Sequence, residues 1–110
     1  IQAHPEDATL SRARLSDLGN GLLQRGDTAA AVALLDIVAE MYPTSSLARY
    51  SLAEAQIAQD DHGNAVANLR EALTLVDSDP EVADFRKAAR YTASRRLRSL
   101  AGAEGATRNE

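Results

Sequence analysis

Apolar residues recur every three or four positions along most of the chain, in stretches separated by short polar segments. Spacing of this kind places the apolar side chains on one face of a helix. Five such stretches follow one another, over residues 10–22, 31–41, 47–57, 65–76 and 82–100. The pattern therefore predicts an all-α fold of five amphipathic helices.

The residues between these stretches are typical of helix ends. Gly26-Asp27 predicts the first turn, and Thr28 is the expected N-cap of the second helix. Asp79 followed by Pro80 predicts the start of the fifth helix, because Asp is a favoured N-cap and Pro fits the first helical position. Gly102 is expected to end that helix. We accordingly expect an N-terminal extension over 1–7 and a disordered tail over 102–110.

Much of the pattern repeats after thirty-four residues. Leu18, Asp27, Ala31 and Leu35 each recur as the same residue type thirty-four positions later. A fixed period of this length is typical of stacked helical hairpins. Gly19 has a second small residue, Ala, as its counterpart at 53. We expect small side chains there because the two helices of each hairpin cross closely.

These matches resemble the tetratricopeptide repeat family, with one repeat at 12–45 and a second at 46–79. The residues that carry the resemblance are Leu18, Gly19, Leu22, Gly26, Asp27, Ala31, Leu35, Val38 and Pro43, and then Leu52, Ala53, Asp61, Ala65, Leu69, Ala72 and Leu75. The resemblance implies a right-handed superhelical stack of two hairpins, with residues 80–101 forming a fifth, solvating helix that caps it. The whole domain would occupy residues 8–101.

The resemblance also implies a function, because such stacks bind protein segments on their concave face, which is lined by the first helix of each hairpin. By spacing, the residues on that face would be Ser16, Asn20, Leu23, Gln24, Leu47, Tyr50, Glu54 and Ile57. Tyr50 is the expected anchor, since aromatic residues carry a large share of interface energy. The alternative for Tyr50 is packing against the fifth helix.

Some family members hold a peptide carboxylate with paired Lys and Asn side chains on this face. Asn20 matches one such position, but Ser16 replaces the expected Lys and Glu54 replaces the second Asn. An anion at Glu54 would repel a bound carboxylate. We therefore expect shape and apolar contact, rather than carboxylate capture, to govern recognition.

Composition limits the chemistry that the chain can perform. It has no Cys, no Trp and two isolated His residues, so we expect no catalytic residues, no metal site and no cofactor. The net charge is −4, from −7 over residues 1–79 and +3 over residues 80–110. An acidic bulk is unfavourable for nucleic acid. No apolar run approaches the ~20 residues of a membrane span, so we expect a soluble protein of the cytoplasm or periplasm.

Two other functions stay open. Residues 18–27 and 41–45 also resemble the C-terminal appendage of bacterial serine hydrolases and β-lactamase-like esterases, which implies a structural or dimerisation role within a larger enzyme. An end face without a preceding repeat, bearing Leu10 and Ile1, would then form a homodimer or dock onto a neighbouring domain. A weaker alternative is an anionic ligand bound by the basic fifth helix, although a solvated face partly paired with the acidic repeats is the simpler interpretation.

Overall fold

The computed structural model describes the backbone of residues 5–108 and the side chains of residues 11–102. The described part contains α-helices and one 3₁₀ helix and has no strand, which confirms the prediction of an all-α fold. The elements are α1 (Pro5–Gln24), α2 (Thr28–Met41), α3 (Ser46–Ala58), α4 (His62–Val76), a 3₁₀ helix (Pro80–Phe85) and α5 (Arg86–Arg108). Two antiparallel hairpins, α1–α2 and α3–α4, stack through α2 and α3, and α5 packs on α4.

The two hairpin turns have the same geometry. Gly26 has a φ of 84° and Asp60, thirty-four residues later, has a φ of 61°. In each turn the next residue donates its amide to the carbonyl five positions back, at 2.9 Å. This hydrogen bond satisfies an end carbonyl of the preceding helix, and the left-handed residue reverses the chain. The turn is therefore repeated in structure as well as in sequence.

Ser45 caps α3 by accepting a hydrogen bond from the Ala48 amide at 3.1 Å. The expected N-cap of α2 was wrong by one residue: Thr28 is already the first helical residue, and Asp27 occupies the cap position. The reason is that the Asp27 carbonyl accepts from the Ala31 amide at 3.0 Å, so the hydrogen bonds of the helix start one residue earlier.

Two apolar clusters form the core. The first joins α2 to α3, and the second joins α3 and α4 to α5. Gly19 lies against fully buried Leu35, whose side-chain carbons come within 2.6 Å of the place where a Cβ on Gly19 would stand. The small residue therefore permits the close approach of α1 and α2 at Leu35.

In the second hairpin, three hydrogen-bonded polar side chains occupy positions that are apolar in the first hairpin. Arg49 Nη1 donates to Asn68 Oδ1 at 3.2 Å, and Asn68 Nδ2 donates to Gln56 Oε1 at 2.8 Å. The residues thirty-four positions before these three are leucines that pack against the first cluster, namely Leu15, Leu34 and Leu22. One structural position thus carries hydrogen bonds in one repeat and apolar contact in the other.

The segment between α4 and α5 contacts both hairpins. Buried Asp79 caps the 3₁₀ helix, as expected, by accepting from the Glu81 amide at 3.0 Å. The same carboxylate also accepts from the amide of Ser46 at 2.8 Å and from its hydroxyl at 2.7 Å, at the start of α3. Arg12 of α1 forms an ion pair with Glu81, with its Nε 3.0 Å from Oε2.

The last helix differs from its expected bounds. Its first six residues form the 3₁₀ helix, and α5 then runs through Gly102 to Arg108. Gly102 has no positive φ, and one Gly in a helix interior costs only about 1 kcal/mol relative to Ala. Ile1 and residues 109–110 lie outside the described residues, as does the side chain of Leu10, so the expectations for them stay predictions.

Candidate functional site

An apolar groove lies between α3, α4 and α5. Its volume is about 230 Å³. The larger residues along it are Leu47, Tyr50, Leu73, Val76 and Phe85. Its lining is largely apolar, which suits the apolar side chains of a protein segment.

Small residues on α5 leave this space open. Ala88, Ala89 and Ala93 line the groove on the side that faces α3. Short side chains at these positions do not fill the gap between the helices, so the apolar faces of α3 and α4 stay accessible. Phe85 lies at the groove with 46% of its surface exposed, which places an aromatic ring within reach of solvent.

A charged cluster adjoins the groove at Tyr50. Arg96 of α5 donates two hydrogen bonds to Glu54 of α3, from Nε to Oε1 at 2.9 Å and from Nη2 to Oε2 at 2.8 Å. Paired hydrogen bonds of this kind fix the relative orientation of the two side chains. Tyr50 lies close enough to the same carboxylate for Glu54 to contribute to the pKa of its phenol. The cluster therefore joins α3 to α5 beside Tyr50.

The cluster changes the ionisation of its members. Burial, together with the hydrogen bond to Glu54 and the charge of that carboxylate, raises the pKa of Tyr50 to about 12. Burial also opposes ionisation of Glu54, but the hydrogen bonds from Arg96 and Tyr50 and the charge of Arg96 outweigh it and lower the pKa of Glu54. Near neutral pH the phenol keeps its proton and the carboxylate stays charged.

A polar cavity of about 360 Å³ continues from the groove past Tyr50, which borders both spaces. Its other walls are Thr92, Arg95, Arg96 and Ser99 of α5. These residues offer hydroxyl and guanidinium donors beside the apolar groove, because Tyr50 and Thr92 line both spaces. The combined site can therefore receive an apolar side chain beside a hydrogen-bond acceptor such as a backbone carbonyl.

The structure separates the residues expected on the concave face of the second hairpin. Leu47 and Tyr50 line the apolar groove. Glu54 lies beside it in the ion pair with Arg96. Ile57 packs against the second core cluster. Tyr50 thus packs towards the fifth helix, which was the stated alternative, and it also keeps a surface in the groove.

The expected residues of the first hairpin lie away from this groove. Ser16 is buried and accepts a hydrogen bond from Arg12 Nη1 at 2.8 Å. Leu23 packs against the first core cluster, Asn20 is half-buried and Gln24 is exposed. Their expected role in binding stays a prediction.

Several residues of the groove were not expected there from the sequence. Leu73 and Val76 follow the apolar spacing of α4, which predicts burial in the core, and Phe85 and Ala89 follow that of the fifth helix. The signal that could have indicated a groove is the run of alanines on α5, because small residues on a helix that covers two others leave space between them.

The arginines of α5 are largely engaged within the chain. Arg96 pairs with Glu54, and Arg90 pairs with Asp77. Arg86 Nε donates to the Val76 carbonyl at 2.7 Å. These contacts agree with the interpretation of α5 as a solvated helix partly paired with the acidic second hairpin.

Among the described residues, no group of three or more His, Cys, Asp and Glu side chains is arranged to hold a metal ion. No helix in the described part is long and apolar enough to span a bilayer.

Comparison with known families decides the identity of the fold. The model of the tetratricopeptide repeat family matches residues 16–83, more than half of the chain. The chain belongs to the tetratricopeptide repeat family. The match to this family covers the C-terminal part of α1, all of α2–α4 and the start of the 3₁₀ helix, and it overlaps the two repeats that the sequence resemblance predicted. No curated protein and no solved structure matched the chain.

Tetratricopeptide repeats are, in general, protein–protein interaction modules and are typically not catalytic. The general class of function predicted from the sequence is thereby supported, while the partner and its mode of binding are left to the proposal below. The resemblance of residues 18–27 and 41–45 to hydrolase appendages stays a prediction.

Proposed function

We propose that this tetratricopeptide repeat domain binds a protein segment through the groove between α3, α4 and α5. The observation that carries the proposal is an apolar groove of about 230 Å³ that is open beside a positioned tyrosine. Apolar grooves with a few convergent polar groups are the usual sites of recognition. Tyr50, Leu47 and Phe85 would supply the aromatic and aliphatic contacts.

Binding would place one apolar side chain of the partner between α3 and α5. Burial of a Leu-sized side chain contributes about 1.5–3 kcal/mol, and well-packed central contacts carry most of the energy of an interface. The polar cavity beyond Tyr50 would accept the neighbouring backbone of the partner, with Arg95 and Ser99 as donors. The ion pair between Glu54 and Arg96 would keep the two walls at a fixed separation.

The proposal is tested with a random peptide library displayed on phage and selected on the immobilised chain. Selected peptides are then titrated against the wild-type chain, Tyr50→Ala and the matched control Tyr91→Ala, whose tyrosine is 62% exposed on α5 and does not line the groove. We expect Tyr50→Ala to weaken binding by about tenfold or more, and Tyr91→Ala to leave the dissociation constant unchanged.

A second variant separates loss of binding from loss of folding. Ala89→Met adds a long side chain to the groove and changes neither Tyr50 nor the ion pair between Glu54 and Arg96. It should block the same peptides while the helical circular dichroism signal stays at the wild-type level. Peptides that bind Tyr50→Ala and Ala89→Met as tightly as the wild type would refute the groove as the binding site.

The structural alternative has one specific observation in its favour, which is the exposure of large apolar residues on the first hairpin. Leu18 of α1 and Ile37 and Met41 of α2 are each more than half exposed. A module that binds a peptide in its groove can also associate through its end, so the two functions are compatible. The weaker alternative, an anionic ligand on α5, has less support because three of its arginines are already engaged in the chain.

A further inference from the structure

The polar cavity beside the groove carries a positive charge that has no counterpart among the described residues. Its walls include two guanidinium groups, those of Arg95 and Arg96, and no carboxylate. The charge of Arg96 is balanced by Glu54, which accepts both of its hydrogen bonds. Arg95 forms no ion pair with any side chain in residues 11–102. The cavity therefore keeps one uncompensated positive charge.

A second donor lies next to Arg95 on α5. Ser99 follows it by four positions, which makes the two side chains neighbours on the helix surface, and both line the cavity. Thr92, by contrast, already donates its hydroxyl to the Ala88 carbonyl at 2.9 Å. The cavity thus offers a guanidinium and a hydroxyl to an oxygen acceptor.

A carboxylate suits these donors better than a carbonyl does. A backbone carbonyl of the partner would accept the hydrogen bonds and leave the charge of Arg95 unbalanced. A carboxylate has two oxygens that accept from a guanidinium and also balances its charge, and such charge-assisted hydrogen bonds are roughly twice as strong as neutral ones. Charge complementarity therefore favours an acidic side chain as the occupant of the cavity.

Glu54 does not exclude an acidic group from this position. From the sequence we expected the charge of Glu54 to repel a carboxylate bound on the concave face. In the structure Arg96 balances that charge through two hydrogen bonds, and Glu54 is not one of the residues that line the cavity. The site is also distinct from the paired Lys and Asn arrangement of other family members, because Asn20 and Ser16 lie away from the groove.

The cavity and the groove are contiguous. Tyr50 and Thr92 line both spaces. A segment that places an apolar side chain in the groove would therefore bring its neighbouring residues to the cavity.

We propose that the groove selects protein segments in which an acidic side chain lies within a few residues of the apolar anchor, with its carboxylate bound by Arg95 and Ser99. The inference rests on the proposed function, because it names the chemistry of the segment that the groove binds. It requires one acidic side chain of the partner and no terminal carboxylate.

The test uses peptides selected on the immobilised chain whose binding is lost in Tyr50→Ala. One such peptide is synthesised with its acidic residue and with the corresponding amide, Asn for Asp or Gln for Glu, and both forms have an amidated C-terminus. In calorimetric titrations the amide form should bind the wild-type chain about fivefold more weakly. Arg95→Gln should remove this difference. The matched control is Arg98→Gln, an exposed residue of α5 that does not line the cavity, and it should keep the difference.

Salt gives a second measurement. An increase in NaCl from about 50 to 500 mM should weaken the acidic form more than the amide form, because salt screens the charge of Arg95. Circular dichroism should show the same helix content in the wild type, Arg95→Gln and Arg98→Gln.

The outcomes separate this inference from the proposed function. Tyr50-dependent peptides that contain no acidic residue would overturn the inference and leave the groove as the binding site. A difference between acidic and amide forms that persists in Arg95→Gln would do the same. Peptides that bind independently of Tyr50 and Ala89 would refute the proposed function itself, and a selection that yields no binding peptide would overturn both.

Discussion

Replacement of Gly19 by alanine tests the close crossing of α1 and α2. A Cβ at this position would stand 2.6 and 2.7 Å from two carbons of the Leu35 side chain, and these separations are too short for non-bonded atoms. Leu35 is fully buried, so its side chain has no free space into which to move. Either the rotamer of Leu35 or the distance between the helices must change.

The expected loss follows from two opposing effects. Extra atoms in a well-packed core typically cost about 1–3 kcal/mol. Alanine in place of glycine in a helix interior stabilises the helix by up to about 1 kcal/mol. The net change for Gly19→Ala is therefore a loss of roughly 0–2 kcal/mol in the free energy of unfolding.

Gly21 provides a control in the same helix. It lies two residues further along α1, and a Cβ there would have no atom within 4 Å. Gly21→Ala should therefore raise the free energy of unfolding by up to about 1 kcal/mol. The free energies of unfolding of Gly21→Ala and Gly19→Ala should then differ by about 1–3 kcal/mol. Urea unfolding followed by circular dichroism measures both values.

A double variant connects the loss to one contact. In a Leu35→Ala background the space around Gly19 is open, and Gly19→Ala should there become as favourable as Gly21→Ala. The reasoning would be refuted if Gly19→Ala and Gly21→Ala were equally stable in the wild-type background, or if Leu35→Ala left the difference between them unchanged.

Two more predictions concern a turn and an ion pair. Asp60 has a positive φ, and its counterpart in the first turn is Gly26. Asp60→Gly should therefore raise the free energy of unfolding by about 1 kcal/mol, and Gly26→Asp should lower it. Thermal unfolding measures both variants, and midpoints equal to that of the wild type would contradict this account. The pKa of Glu54 is lower in the folded chain than its ordinary value of 4.5. Above pH 4.5 the wild type should therefore have a higher free energy of unfolding than Glu54→Gln, and this advantage should disappear as the pH falls below that value. A stability difference between the two that stays constant down to pH ~2 would refute the role of the ion pair.

The period of thirty-four residues was sufficient to predict the hairpins, because each apolar or small residue in it has a direct structural cause. The close crossing of α1 and α2 needs Gly19 opposite Leu35, and the left-handed turn needs Gly26. Both features are visible in the spacing of residues along the chain. The hydrogen-bonded chain of Arg49 and Asn68 could not be predicted in this way. Its polar residues replace leucines of the first repeat, and the hydrogen bonds form only where α3 and α4 pack together.

The candidate groove was less accessible to sequence reasoning. Spacing along α3 indicated Leu47 and Tyr50, but the opposite wall depends on how far α5 lies from α3. That separation follows from alanines such as Ala89 and from the ion pair with Arg96, which joins residues forty-two positions apart. Contacts over such distances are set by packing, which helical periodicity does not describe.

The contact between Arg12 and Glu81 affects how the domain unfolds. Repeat proteins usually have contacts only between neighbouring units, so that their ends can melt separately. Here a side chain of the first helix is bound to the segment that follows the fourth, and Asp79 in that segment also caps the third. Opening of α1 therefore breaks a contact with the segment that precedes α5. We expect the array to unfold as one cooperative unit, so that backbone amides in both hairpins exchange with solvent through one common transition.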